Sequence, residues 1–237
     1  MSGYRGATRQ AHLHSAPMEV RILGPLEAWA DDSDDGPIRI EAPKERAVLA
    51  ALGTRPGRPV PADTLIVALW GDAPPPTAAK TLQSYISKLR RVLGASAIET
   101  SAMGYSLAVD VDAERFEQRV ADGRDALAVG DVRTADTLLT EAVALWRGAP
   151  LEDLADCDFR RGQATRLEEL RLSAVEGRVQ AELGLGRHVE LVAELAALVD
   201  EHSLREPLWG SLMLALYRSG RQADALRRYR RLRGILR

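Results

Sequence analysis

From Ala113 onward the sequence is dominated by Ala, Leu, Arg and Glu in helical periodicity, and it repeats itself. Gly186 and Gly220 stand 34 residues apart inside related phrases, LGLGRHVEL and YRSGRQADAL. Trp209, Leu212, Gly220, Ala225 and Tyr229 follow one another at spacings of 3, 8, 5 and 4, the frame of a tetratricopeptide-like helical hairpin. A less regular copy lies upstream in LAVGDVRTADTLLTEAV, where Gly130, Ala135, Leu139 and Ala142 repeat the second half of the frame. One such hairpin cannot bury its own apolar face, whereas three stacked hairpins make a continuous core. The pattern predicts an all-α repeat domain over residues 113–237 whose surfaces serve contacts. Trp209 and Tyr217 are expected in its core, because the frame turns large apolar side chains inward. Arg227, Arg228, Arg230, Arg231 and Arg233 are its candidate contact surface.

The preceding residues read differently. Residues 1–17 show no apolar periodicity and are expected to be a disordered tail, with Met18 a candidate native start. MEVRILGPLEAW then alternates polar and apolar side chains like a half-buried strand, and Ile38-Arg39-Ile40 repeats the pattern after the acidic turn DDSDDG, which predicts a small sheet. Pro43 opens a helix with Ala47, Leu49, Ala50 and Leu52 as its stripe, ending at Gly53 and Pro56-Gly57. A second helix is expected from about Pro61 to Trp70, with Leu65, Ile66 and Leu69 on one face. Pro74, Pro75 and Pro76 form a stiff connector to a third helix, with Thr77 as its expected N-cap. Two β-like runs, Ile98 to Thr100 and Tyr105 to Val109, flank Gly104 as a hairpin. Strands, three helices and a hairpin in that order predict a winged helix-turn-helix over residues 18–112. The fold class is therefore mixed, an α+β winged helix-turn-helix domain followed by an all-α tetratricopeptide-like domain.

The formal net charge of −2 excludes a strongly basic protein, so only the distribution of charge can point to a nucleic-acid partner. Residues 43–93 hold eight basic side chains (Lys44, Arg46, Arg55, Arg58, Lys80, Lys88, Arg90, Arg91) against Glu45, Asp63 and Asp72. In TAAKTLQSYISKLRRVLG, at about 100° per residue, Leu82, Ile86, Leu89 and Leu93 share one side. Lys80, Ser84, Ser87 and Arg91 lie opposite, with no carboxylate in the stretch. Small hydroxyl residues between long cations let a helix backbone approach a major groove closely, where Lys and Arg meet phosphates or guanine edges. A solvated helix face has the same composition, and the surrounding positive balance favours the DNA reading.

Other chemistry finds little support. Cys157 is the only cysteine, which excludes an internal disulfide and a multi-cysteine zinc site. His12, His14, His188 and His202 have no partner at ligand spacing and read as surface residues. Glu152, Asp153, Asp156 and Asp158 could imitate a hard-metal site, but the run lacks a calcium loop's glycine pattern and reads as a solvated connector. A thiol beside carboxylates disfavours its nucleophilic form. No GxxxxGK[ST] loop is present, so no nucleotide hydrolysis is expected, and neither a cofactor nor a metal is called for. No run of about 18 apolar residues suggests a membrane span, and no secretory signal is evident, so a cytoplasmic location follows by default.

The phrases ILGPLEAW, APKERAVLAAL, ALWGDAPPPTAAKTLQSYISKLRRVLG and GYSLAV resemble the OmpR-type DNA-binding domain of the Streptomyces antibiotic regulatory proteins. AERFEQRVADGRDALAVGD, LWRGAPLEDL and REPLWGSLMLALYRSGRQADALRRYRRLR resemble their bacterial transcriptional activation domain. The resemblance runs from about Met18 to the end. It implies a bacterial, nucleoid-associated, non-enzymatic activator of a secondary-metabolite gene cluster. Such proteins bind direct repeats in double-stranded DNA upstream of promoters as side-by-side protomers or a homodimer, and recruit RNA polymerase holoenzyme. Thr77 to Leu93 would be the recognition helix, with Thr77, Lys80, Thr81, Gln83, Ser84, Ser87, Lys88, Arg90 and Arg91 toward DNA. Ser101 and Tyr105 would sit at the wing tip. Asp72, Pro74, Pro75 and Pro76 would lie in the loop that faces polymerase, although the same prolines suit a spacer that sets the angle between two helices. The sequence stops at Arg237 inside a helical phrase, which leaves open a larger multidomain regulator; an adaptor acting through its helical repeats is the alternative.

Overall fold

The computed structural model describes residues 18–30, 36–155 and 158–236. The readings of residues 1–17, the acidic turn, Asp156 and Cys157 lie outside the described residues. The element order is β1 (Met18–Arg21), β2 (Glu27–Ala30), α1 (Pro43–Gly53), α2 (Ala62–Trp70), α3 (Ala78–Leu93), β3 (Ile98–Ser101), β4 (Gly104–Leu107), β5 (Asp110–Val111), then α4 (Asp112–Ala128), α5 (Val132–Ala144), α6 (Asp158–Gly184), α7 (His188–Glu201), α8 (Glu206–Arg218) and α9 (Gln222–Ile235).

β1 and β2 pair antiparallel, with Met18 opposite Ala30. The third strand of this sheet is not the Ile38–Ile40 run. Ile38 donates one hydrogen bond to the Ala28 carbonyl (2.7 Å), and Ile40 is buried, but the run forms no strand. β5 takes that place, parallel to β1, pairing Glu19 with Asp110 and Val20 with Val111. Two residues after a hairpin are too few to show alternation, so the sequence carried no signal for it.

α1 begins with Pro43 in its first turn, where a missing N–H costs nothing. Leu82, Ile86, Leu89 and Leu93 of α3 are all buried against α1, α2 and the hairpin. The hairpin β3–β4 is held to the segment before α2 by a bridge in which Val60 and Tyr105 exchange both backbone bonds (2.7 and 3.0 Å). Gly104 sits at that crossing with φ +128°, and a Cβ there would fall 2.1 Å from the Val60 carbonyl oxygen, which only glycine permits.

Three helical hairpins follow, α4–α5, α6–α7 and α8–α9. Gly130, Gly186 and Gly220 close the first helix of each at φ +79°, +84° and +76°. In every case the residue after the glycine donates to the carbonyl five positions back: Asp131 to Ala126 (2.9 Å), Arg187 to Glu182 (3.1 Å), Arg221 to Leu216 (2.8 Å). This helix stop satisfies carbonyls the helix would otherwise leave orphaned, and it is the physical content of the sequence repeat. Trp209 and Leu212 are fully buried as the frame requires. Tyr217 is a correction: it is 62 % exposed, because its position near the end of α8 turns it away from the buried Leu212 and Leu216.

The apolar core is not divided at residues 112 and 113. One cluster runs from Val20 through α1–α3 into α4, α5 and part of α6; a second joins the rest of α6 to α7, α8 and α9. α6 serves both. Leu167, Ala174 and Ala181, seven apart, face the first, whereas Leu172, Val175, Val179 and Leu183 face the second. The winged helix and the first helical hairpin thus share one core.

Candidate nucleic-acid interface

Buried positions of α3 fix which of its side chains look outward. Lys80, Gln83, Ser84, Ser87, Lys88 and Arg91 are exposed, and Thr81 is half-buried. Thr77 occupies the N-cap position, but its side chain makes no capping bond. Its carbonyl instead accepts from the Thr81 amide and hydroxyl (2.9 Å each). The Ser87 hydroxyl donates to the Gln83 carbonyl (2.9 Å), which leaves its oxygen free to accept.

The eight cations of this region divide into two groups. Lys44 donates to the Leu69 carbonyl at the end of α2 and lies 5.5 Å from the Trp70 ring. Trp70 stacks on Tyr85 of α3 (6.4 Å between centroids), and Lys88 lies 5.9 Å from that Tyr85 ring while pairing with Glu45 of α1 (2.9 Å). This ladder ties α1, α2 and α3 together through stacking and charge. Arg90 is spent on the wing: Nε donates to the Ile98 carbonyl (2.8 Å) and a terminal nitrogen to Thr100 Oγ1 (2.6 Å). Arg46 reaches the helical part, as described below. Among the described residues Arg55, Arg58, Lys80 and Arg91 keep side chains without an ionic or hydrogen-bond partner. Lys80 and Arg91 therefore remain the unneutralised cations of α3.

Ser101 and Tyr105 part company at the wing. Ser101 is exposed, its oxygen accepting from the Met103 amide (3.2 Å), so it orders the turn. Tyr105 is half-buried and packs on the core behind the wing. Met103, 72 % exposed, occupies the tip instead. In the loop between α2 and α3, Gly71 takes φ +63° and donates to the Val67 carbonyl (2.8 Å), and the Pro75 carbonyl accepts from Ala78 (2.9 Å). Asp72, Pro74 and Pro76 are exposed and Pro75 is half-buried.

A junction behind this surface was not legible in the sequence. Asp112, 2 % exposed, starts α4 and accepts from the backbone amides of Ile22 (2.8 Å) and Leu23 (3.1 Å). Arg147, between α5 and α6, pairs with it (3.4 Å) and with Glu27 of β2 (3.0 Å). Burial pushes the Asp112 carboxyl above the ordinary aspartate range, against the two amides and Arg147, which pull it down. The Arg147 amide donates to the Leu23 carbonyl and the Leu151 amide to that of Gly24 (2.8 Å each). Leu151 is fully buried with φ +56°, a strained conformation for a non-glycine residue.

Asp153 is a second correction. It is no solvated connector: Oδ1 accepts from the Leu26 amide (2.8 Å) and Oδ2 pairs with Arg46. His188 is half-buried, and His202, its side chain 33 % exposed, stays at the surface beside Glu201. Among the described residues no three His, Cys, Asp or Glu side chains are grouped to hold a metal, and no helix is long and apolar enough to cross a membrane.

Comparisons with known proteins agree with this arrangement. Residues 38–107 match the family described as transcriptional regulatory protein, C terminal, and residues 111–237 match the bacterial transcriptional activator domain. EmbR of Mycobacterium tuberculosis is 40 % identical over 235 residues, which cover 94 % of this chain and 60 % of EmbR. DnrI of Streptomyces peucetius is 38 % identical over 234 residues, 92 % of this chain and 85 % of DnrI. A solved structure of M. tuberculosis EmbR in complex with a low-affinity phosphopeptide superposes with a TM-score of 0.86 at 38 % identity, over 92 % of this chain and 59 % of that one. The chain thus spans about three fifths of EmbR, and both relatives bear the names of regulatory proteins, not of enzymes. Two matched modules in the same order, extending over most of DnrI, place this chain in the Streptomyces antibiotic regulatory protein family of transcriptional activators.

Proposed function

We propose that this chain activates transcription by placing α3 in the major groove of a promoter-upstream direct repeat, as side-by-side protomers that recruit RNA polymerase holoenzyme. The regulated target is a secondary-metabolite gene cluster. One observation carries the reading: the outward side of α3 combines two unneutralised cations, Lys80 and Arg91, with Gln83, Ser84 and Ser87, and no carboxylate lies on that helix. Lys and Arg suit guanine edges or phosphates, Gln suits adenine, and short serines allow close approach. Thr77, Thr81 and Ser101 act as flanking contacts to the backbone. Lys88 and Arg90 act indirectly, by fixing α3 against α1 and the wing, as does Tyr105. Asp72, Pro74, Pro75 and Pro76 are the polymerase contact, a rigid loop that loses little entropy on docking. The functional division stays at residues 112 and 113, with the DNA-reading part before it.

The test is fluorescence anisotropy against tiled promoter fragments from the source genome at two salt concentrations, with a Lys80→Ala/Arg91→Ala double variant. Tight, salt-sensitive binding to a direct-repeat fragment, lost in the variant, supports the reading. Affinity equal to that for random DNA, and indifferent to the variant, refutes it.

A further inference from the structure

We propose that Met103, at the tip of the wing, is a specificity-determining residue: it enters the minor groove beside the site occupied by α3 and selects A·T over G·C pairs there, an inference that rests on the DNA reading of α3.

The wing holds no cation. Between Arg91 and Arg115 the sequence has no lysine or arginine, and Glu99 and Asp110 flank the hairpin. A contact between this hairpin and DNA therefore gains nothing from phosphate attraction, and Glu99 opposes it. What the tip presents is apolar: Ala102 and Met103 are both exposed, Met103 at 72 %. Single exposed apolar side chains are ordinary on a protein surface, but this one stands on a turn that is fixed from below. The Met103 amide donates to Ser101 Oγ (3.2 Å) and the Ser101 hydroxyl donates to the Gly104 carbonyl (3.4 Å). Thr100 pairs with Tyr105 across the hairpin, and Tyr105 exchanges both backbone bonds with Val60. A turn already ordered in the free chain loses little entropy on docking.

Arg90 sets where the tip stands. Its bonds to the Ile98 carbonyl and Thr100 Oγ1 hold β3 beside the second half of α3, whose outward side carries Ser87 and Arg91. A projection beside a helix seated in the major groove reaches over the phosphate chain into the adjoining minor groove, where methionine is among the apolar residues that insert. A·T and T·A pairs show only acceptors in that groove, whereas G·C adds the guanine 2-amino group. The amino group fills the floor on which the thioether would rest, and the weakly accepting sulfur cannot repay its desolvation. Met103 thus reads a pair that the cations of α3 do not reach, through a contact that salt does not screen.

The experiment measures anisotropy of the whole chain on the tightest-binding fragment of the tiled promoter set, with each pair flanking the repeats written in turn as A·T, G·C and inosine·C. Inosine keeps the major-groove edge of guanine and lacks its 2-amino group, so it separates the two grooves. At one flanking position per repeat, A·T and inosine·C should bind alike and G·C about tenfold more weakly, the scale of one wrongly read pair. Met103→Ser should bring that ratio to about one while leaving the slope of log affinity against log salt unchanged, and Met103→Leu should keep the preference. Both variants should unfold at the native temperature, because Met103 belongs to neither apolar cluster. Inosine·C binding as weakly as G·C at every position would assign the discrimination to the major groove, and a preference that survives Met103→Ser would assign it to another residue. Either result overturns the role of Met103 and leaves the DNA reading of α3 in place, whereas a native chain that binds no fragment better than random DNA removes both.

Discussion

Removing the Asp112 carboxylate probes the junction between the winged helix and the helical repeats. Asp112→Ala leaves the Ile22 and Leu23 amides and one contact of Arg147 without an acceptor, in a place 2 % exposed. Each stranded buried donor costs about 1 to 3 kcal/mol, and breaking a buried ion pair about 3 to 5 kcal/mol. Burial already opposes the charge, so the expected loss is at the lower end, about 3 kcal/mol. Asp112→Asn keeps one acceptor for Ile22 but turns an N–H₂ toward Leu23 or Arg147, for a loss of about 1 to 2 kcal/mol.

The pH dependence follows from the direction of the shift. The folded pKa is raised, so between the ordinary aspartate value and the folded value the native chain holds a proton that the unfolded chain releases. The stability this group contributes is fully present below the unfolded value and is lost as pH rises through the folded one. Urea denaturation of wild type and Asp112→Asn across the acidic range reads the difference directly. It should widen in favour of wild type on acidification. A difference that widens instead as pH rises would mean that Arg147 and the amides outweigh burial, and would refute the reasoning.

Other outcomes follow from the same geometry. Lys80→Ala or Arg91→Ala should each weaken operator binding by about 1 to 3 kcal/mol, and relax specificity at one position if the side chain reads a base, by anisotropy. Lys88→Ala, whose cation is already paired with Glu45, should change DNA affinity much less; an equal loss would place it among the readers. Arg90→Ala should lower stability by about 1 to 3 kcal/mol through its bonds to Ile98 and Thr100, measured by thermal unfolding. Gly220→Ala has open space around its Cβ and meets only the positive φ, so it should cost about 1 to 2 kcal/mol, with Gly186→Ala similar; a null effect in both would remove the turn from the account of the repeat.

Helix positions and their buried faces were written in the sequence, since periodicity is a local property that each segment imposes on its own packing. Leu82, Ile86, Leu89 and Leu93 had to face inward, so Lys80, Ser84, Ser87 and Arg91 had to face out. The glycines 34 residues apart marked helix stops because a left-handed turn needs glycine wherever it occurs. Which cations stay free was not local. Lys44, Arg46, Lys88 and Arg90 look the same in sequence as Lys80 and Arg91, and only tertiary approach supplies Leu69, Asp153, Glu45 and Ile98 to take them up. Strand β5, the burial of Asp112 and the role of Asp153 belong to the same class, each made by partners about 90 residues or more distant in the chain. Sequence determined the helices and most of their buried faces; the tertiary structure decided the third strand and the pairing of charges, because a strand's partner and a side chain's counter-ion are set by proximity in space, which periodicity does not encode.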